Sequence, residues 1–276
     1  MKRIIAICFT VLMIGALLTA CGNTDKKADD SSGKKDNSEK TEIVVFAAAS
    51  MTETLNELKE TYEKDHPEIT ITYNFDSSGT LKTQIEEGAV CDLFISAAQK
   101  QMDELQEGGS VNTDTRLNLL ENKVALCVAD NSTSGIKSYT DMKNHLEAGD
   151  ILMAIGNEDV PVGQYTQKIF TYYELDEEAL KEKGVLTYGS NVKEVTTQVS
   201  EGTVDCGVIY QTDAYSANLT VADTATEEMC GQVIYPAAVL SGSQHTDEAK
   251  AFLVYLQTED AAKVFEKVGF TALATK

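Results

Sequence analysis

Apolar residues recur along this chain in two alternating rhythms, one suited to strands and one to helices. The run Ile43-Val44-Val45-Phe46 predicts a strand over 43–48, and Met51, Leu55, Leu58 and Tyr62 then share one face of a helix over 50–64. His66-Pro67 ends that helix, because the residue before a proline is pushed out of helical backbone. Ile69, Ile71, Tyr73 and Phe75 alternate strictly, which predicts a strand over 69–75. A helix over 78–87 stopped by Gly88, a strand over 92–96 and a helix over 99–107 follow. Further strands are expected at 122–129, 151–155, 185–188 and 206–210, and further helices near 138–147, 164–173 and 191–201. Helices over 246–257 and 260–268 close the chain. Strands alternating with helices of this size imply βαβ units on largely parallel sheets, an α/β fold. No fixed-period repeat is visible.

The first forty residues do not share that rhythm. Lys2 and Arg3 precede an almost unbroken apolar stretch from Ile4 to Leu18, and Leu18-Thr19-Ala20-Cys21 follows. This is the pattern of a secretory signal peptide, too short and wrongly flanked for a spanning helix. The ending resembles the bacterial lipoprotein cleavage box, which implies removal of residues 1–20 and lipidation of Cys21. The alternative is an ordinary signal with a chance cysteine. Residues 22–41 hold no large apolar side chain. They cannot bury enough surface to offset the entropy of ordering, so residues 21–41 read as a flexible tether. The expected arrangement is a globular body of about 235 residues held outside a cell membrane on a lipid anchor.

Charge narrows the partners. Without Lys2 and Arg3 the chain carries 21 basic and 44 acidic residues, a net charge of −23. So acidic a chain, with no basic stripe, argues against nucleic acid. It also gives an anion no long-range attraction, so any anion site must work by local dipoles. Cys91, Cys127, Cys206 and Cys230 remain in the body, in a compartment where pairing is possible. Small buried core residues and disulfides both stay open for them. No CxxC and no His–Cys spacing points to a metal site. His66, His145 and His245 read as surface residues, and neither a Gly-x-Ser-x-Gly elbow nor a His-x-x-x-His pair is present. A nucleophilic serine needs an adjacent base, and none is in view, so no catalytic residue is assigned.

The junctions between strands and helices hold the candidate chemistry, since ligands of open parallel sheets bind beyond the carboxyl ends of the strands. Phe46-Ala-Ala-Ala-Ser50 is the first junction, with small residues leading into a helix start whose N–H groups have no helical partner. Ser50-Met51-Thr52-Glu53 is equally a capping box, in which Ser50 would serve only its own helix. Ser77 and Ser78 precede the next helix, with Gly79 allowing close approach, and here too a simple N-cap is the alternative. Val162, after Pro161 and before a helix beginning near Gly163, offers a backbone N–H. So does Val192, the first helical residue after the cap Asn191; either helix start would serve equally well facing water. Tyr210 ends the strand Cys206-Gly-Val-Ile-Tyr210, where a phenol can donate one hydrogen bond or simply pack. Together these junctions would make a donor-only site without a charged residue. That suits a fully ionised oxyanion, because the proton of hydrogen phosphate would find no acceptor there.

Several of these segments, Phe46-Ala-Ala-Ala-Ser50, Ser77-Ser78-Gly79-Thr80-Leu81, Cys91-Asp-Leu-Phe-Ile-Ser96-Ala97, Asp159-Val-Pro161-Val162-Gly163 and Gly207-Val-Ile-Tyr210, resemble those of the molybdate-binding proteins of ABC transporters. Tyr235-Pro236-Ala-Ala-Val239 and Val268-Gly-Phe270 match the tail of that family, so the resemblance runs in order from about residue 42 to 271. It implies a two-lobed type II periplasmic-binding-protein fold, each lobe a mainly parallel sheet flanked by helices. Lobe 1 would be residues 42–123 plus 236–276 and lobe 2 residues 124–235, with the ligand in the cleft between them. The family's ligand contacts fall on the hydroxyls of Ser50, Ser78 and Tyr210 and the backbone N–H groups of Val162 and Val192.

The resemblance further implies a monomeric lipoprotein on the outer side of the cell membrane, without a cofactor. It would capture molybdate, and tungstate of the same shape and charge, for an ABC permease. Molybdenum would be bound only as the oxyanion; sulfate or another tetrahedral oxyanion is the alternative ligand. Two departures stand out. Relatives often have alanine where Val162 sits, and a small or neutral residue where Asp76 sits. Strand alternation places Asp76 opposite to Phe75.

Overall fold

The computed structural model describes residues 40–274; the signal segment, Cys21 and the tether lie outside the described residues. The chain builds two sheets in turn. The first half of the first sheet comes from β1 (Thr41–Ala48), α1 (Thr52–Asp65), β2 (Ile69–Asp76), α2 (Ser78–Glu86), β3 (Leu93–Ile95) and α3 (Gln99–Glu107). β1 pairs in parallel with both β2 and β3. β4 (Leu117–Asn122) stays in this sheet, but β5 (Val124–Val128) belongs to the other. The apolar stretch read as one strand over 122–129 is thus the end of one strand and the whole of another, with Lys123 alone between them.

The second sheet grows through α4 (Tyr139–Ala148), β6 (Met153–Gly156), α5 (Pro161–Tyr172), α6 (Glu177–Lys183), β7 (Leu186–Gly189), α7 (Val192–Ser200), β8 (Cys206–Tyr210), α8 (Gln211–Ala217) and β9 (Thr220–Thr224). After α9 (Glu227–Cys230) the chain returns to the first sheet as β10 (Val233–Val239), and α10 (Thr246–Tyr255), α11 (Glu259–Lys267) and β11 (Thr271–Ala272) finish it. The orders are β11-β4-β10-β3-β1-β2 and β7-β6-β8-β5-β9.

Each sheet adds antiparallel pairings to its parallel βαβ strands. β10 and β4 run antiparallel to their neighbours in the first sheet, as β5 does in the second. The βαβ part of each sheet keeps the parallel pairing that the alternation predicts.

Burial follows the pleat. Ile43, Val45 and Ala47 face one apolar cluster that continues into the second sheet, while Phe46 faces a second cluster with Leu81, Ile85, Phe94 and Met102 on the opposite face. Cys91, Cys127, Cys206 and Cys230 are all free and buried. Burial pushes the Cys91 and Cys127 thiols up to about 12, which makes them packing groups rather than nucleophiles. Among the described residues no helix is long and apolar enough to cross a membrane.

Candidate functional site

The carboxyl ends of the parallel strands meet between the two sheets and enclose a small cavity. Its wall is Ala48, Ala49 and Ser50 after β1, Asp76, Ser77 and Ser78 after β2, Ala97 after β3, Val160 and Pro161 after β6, Val192 after β7 and Tyr210 at the end of β8. The cavity volume is about 10 Å3, room for about one water molecule. Four of the five sequence-predicted residues, Ser50, Ser78, Val192 and Tyr210, therefore share one cavity. Val162 sits one residue beyond the wall, because α5 starts at Pro161 rather than near Gly163. Proline is favoured at a first helical position, where its missing N–H would have no partner anyway.

Ser78, Ser50 and Tyr210 bring their hydroxyls to this wall, whereas the Ser77 hydroxyl is taken up with Thr80. Ser78 is fully buried, and its Oγ accepts the Ala97 N–H at 2.9 Å, which leaves the hydroxyl proton without an acceptor among the described residues. Ser50 is held by a relay from elsewhere in the chain. Asn122 Nδ2 donates to the Tyr235 hydroxyl oxygen at 3.2 Å, and that hydroxyl lies 2.9 Å from Ser50 Oγ. Tyr235 is fully buried, and in its contact with Ser50 Oγ either oxygen can be the donor. With Tyr235 as the donor, Ser50 keeps its own proton to give. The capping-box alternative is not realised, since the turn Ala49–Met51 and α1 have no side-chain cap bond. The Tyr210 hydroxyl is buried with no partner among the described residues, and burial holds its pKa well above the ordinary phenol value. It therefore stays a donor.

Backbone donors complete the wall. In α2 the Ser77 side chain caps Thr80 N, while the N–H groups of Ser78 and Gly79, at the first turn, have no helical acceptor. In α7 Asn191 caps Glu194 N, which leaves the Val192 and Lys193 N–H groups. In α5 the same holds for Val162 and Gly163, as Gln164 N already bonds Val160 O. Three helices of this length bring the positive ends of their dipoles towards the same space.

The wall is not free of charge, contrary to the donor-only expectation. Asp76 lies on it, with Oδ1 accepting from Ser77 N at 2.7 Å and from Asn191 Nδ2 at 3.3 Å. Nor does a cation line the cavity. The nearest in sequence is Lys193, one residue past Val192, whose Nζ bonds Glu53 at 2.8 and 2.9 Å across the cleft and lies 3.1 Å from Asp213 Oδ1. Other contacts also cross between the sheets. Gln101 Nε2 donates to Gln164 Oε1 at 3.3 Å, and Gly79 packs on the Asp159 carbonyl so closely that a Cβ there would lie 2.2 Å from its oxygen.

Asp213 is fully buried, and burial pushes its carboxyl up to about 6 although Lys193 pulls the other way. Burial also works against the Lys193 ammonium, but Asp213 and Glu53 together outweigh it and hold its pKa above the usual lysine value. For Asp213 the folded pKa exceeds the unfolded one. Its stabilising contribution is therefore present below about pH 4 and is lost as pH rises through 6. Relative to the Asp213→Asn variant, the protein should gain about 1 kcal/mol of unfolding free energy between pH 7 and pH 5. Denaturant melts of both proteins at the two pH values would read this, and parallel pH profiles would contradict it. The Asn122–Tyr235 relay and the Lys193–Asp213 pair left no mark in local sequence pattern. Tyr235 was visible only as part of a family-like tail.

The family model described as bacterial extracellular solute-binding protein matches residues 43–271. The putative ABC transporter substrate-binding lipoprotein YvgL of Bacillus subtilis is 37% identical over 96% of this chain and 97% of its own length. The molybdate-binding protein ModA of Haemophilus influenzae is 32% identical, covering 83% of this chain and 90% of its own. Among solved structures, the substrate binding domain of a putative molybdenum ABC transporter from Clostridium difficile superposes with a TM-score of 0.63 at 33% identity, covering 84% of this chain and 99% of that one. The chain belongs to the bacterial extracellular solute-binding protein family.

Proposed function

We propose that this protein captures molybdate, and equally tungstate, and delivers it to an ABC permease without chemical change to the ligand. One observation carries the reading. The buried hydroxyls of Ser50, Ser78 and Tyr210 face one small cavity lined by helix starts, and the protons of Ser78 and Tyr210 have no acceptor among the described residues. A tetrahedral dianion offers only acceptors and satisfies such donors completely. Val192 N–H adds to the set from the second sheet. Val162 N–H, just behind Pro161, joins it when the α5 start leans on the ion. The relatives named for molybdate support this ion over sulfate, which has the same acceptor pattern.

In this reading residues 42–123 plus 236–276 and residues 124–235 are lobes that close on the ion by a hinge motion about the strand crossings. The body is a monomer tethered by lipid on Cys21 after loss of residues 1–20, and it faces away from the cytoplasm. It needs no cofactor and carries out no reaction.

Ser78→Ala tests the site. It removes one anion donor and should weaken molybdate binding by about 1–3 kcal/mol. It also strips the Ala97 N–H of its acceptor, so a fall of about 1 kcal/mol in unfolding free energy accompanies it. Calorimetric titration would show the first effect and a denaturant melt the second. Unchanged molybdate affinity would remove Ser78 from the site.

A further inference from the structure

On that reading of the cavity, we propose that Asp76 is a positioning residue, a clasp that holds the α7 start opposite the α2 start by gripping Asn191 across the cleft. Asp76 ends β2 in the first sheet, and Asn191 follows β7 in the second. Each end of the Asn191 amide has a separate task. Its Oδ1 caps α7 by accepting Glu194 N at 3.2 Å, and its Nδ2 donates to Asp76 Oδ1 at 3.3 Å. Glu194 Oε2 accepts the Ser190 N–H at 2.7 Å, which secures the same turn from the other side. The Asp76 oxygen is aimed in turn by Ser77 N at 2.7 Å. One short chain of bonds therefore runs from the cap of α2 to the cap of α7, beside Ser78 and Val192, the donors that face the cavity from either side.

A carboxylate on the wall of an anion site works against the ion by repulsion. It is tolerable there because two N–H donors converge on one of its oxygens. The contact exists only when the two sheets are as close as they are here, so it favours the closed arrangement in which both helix starts point at the same ion. What the clasp requires of residue 76 is an acceptor rather than a charge.

Three variants separate these roles by titration with sodium molybdate. Asp76→Ala removes the acceptor. Asn191→Ser keeps a good helix cap but is too short to reach Asp76. Each should weaken binding about tenfold, seen as faster dissociation with little change in association, and the double variant should be no worse than either single one. Asp76→Asn keeps the acceptor without the charge, so it should bind at least as tightly as the unaltered protein. The melting temperature of the ligand-free protein should stay the same in all of them, because the clasp serves closure and not folding. Additive losses in the double variant, an Asp76→Asn loss as large as that of Asp76→Ala, or ligand-free melting temperatures that fall in step with affinity would overturn the clasp while leaving the ligand reading intact. No binding by the unaltered protein would overturn both.

Discussion

Gly79→Ala should bind molybdate about 10- to 100-fold more weakly while the ligand-free protein keeps or gains stability. The two halves of this expectation have different origins. In α2, alanine is a better helix former than glycine by about 1 kcal/mol, so nothing local is lost. Across the cleft, however, the new Cβ would sit 2.2 Å from the Asp159 carbonyl oxygen and 3.0 Å from its carbonyl carbon. Backbone cannot swing aside as a long side chain can, so the sheets must part by a few tenths of an ångström or more. That gap opens beside Ser78, the residue whose hydroxyl must touch the ion. Overpacking of this kind costs about 1–3 kcal/mol, and only the closed state suffers it. Small-angle scattering with and without molybdate gives an independent check: the variant should contract less than the unaltered protein. Equal affinity and equal contraction would mean that closure does not bring Gly79 against Asp159.

Val192→Pro should weaken binding by about 1.5–3 kcal/mol, because it deletes a backbone donor; it also alters a buried core side chain, a packing change that costs stability. Val192 is the first residue of α7, a position where proline's fixed backbone angle fits and its missing N–H is not used by the helix. The preceding Asn191 is already extended, with φ −154° and ψ 171°, so the proline ring does not force it out of place. Val192→Ala is the matched control, since it trims the side chain and keeps the N–H. The proline variant should lose affinity and the alanine variant should not. Equal losses in both would assign the effect to packing, and the backbone donor would drop out of the site.

How far these positions could be read from sequence depends on whether their partners are local. The βαβ units were legible because each rests on a rhythm of a few residues, and α3 and β8 fall on the expected residues, 99–107 and 206–210. β10 was not foreseen as a strand. Pro236 interrupts it, and the pairing with β4 shifts register between Tyr235 and Pro236, the kind of irregularity at which a strand proline is tolerated. β9 was missed because Thr220–Thr224 is a short edge strand with no fully buried residue, so it shows no apolar alternation. α5 began earlier than expected because Pro161 starts it.

The site divides in the same way. Helix starts and their free N–H groups follow from local pattern, and they led to Ser50, Ser78, Val192 and Tyr210. What holds the Ser50 hydroxyl is Tyr235, 185 residues away, and what steadies Lys193 is Asp213, buried on another helix. Asp76 was expected to point away from Phe75, and its carboxylate does reach Ser77 and Asn191 at the cavity wall. No rhythm in the sequence specifies such partners; they exist only once the two sheets face each other.

The most direct test of the whole account is a calorimetric titration of the purified protein with molybdate, sulfate and phosphate in matched buffer. The account predicts tight one-to-one binding of molybdate, with sulfate and phosphate weaker, because the wall of Ser50, Ser78, Val192 and Tyr210 offers protons and its one carboxylate, Asp76, already has Oδ1 occupied by Ser77 N and Asn191 Nδ2. Tight binding of phosphate, or no heat with any of the three ions, would contradict it.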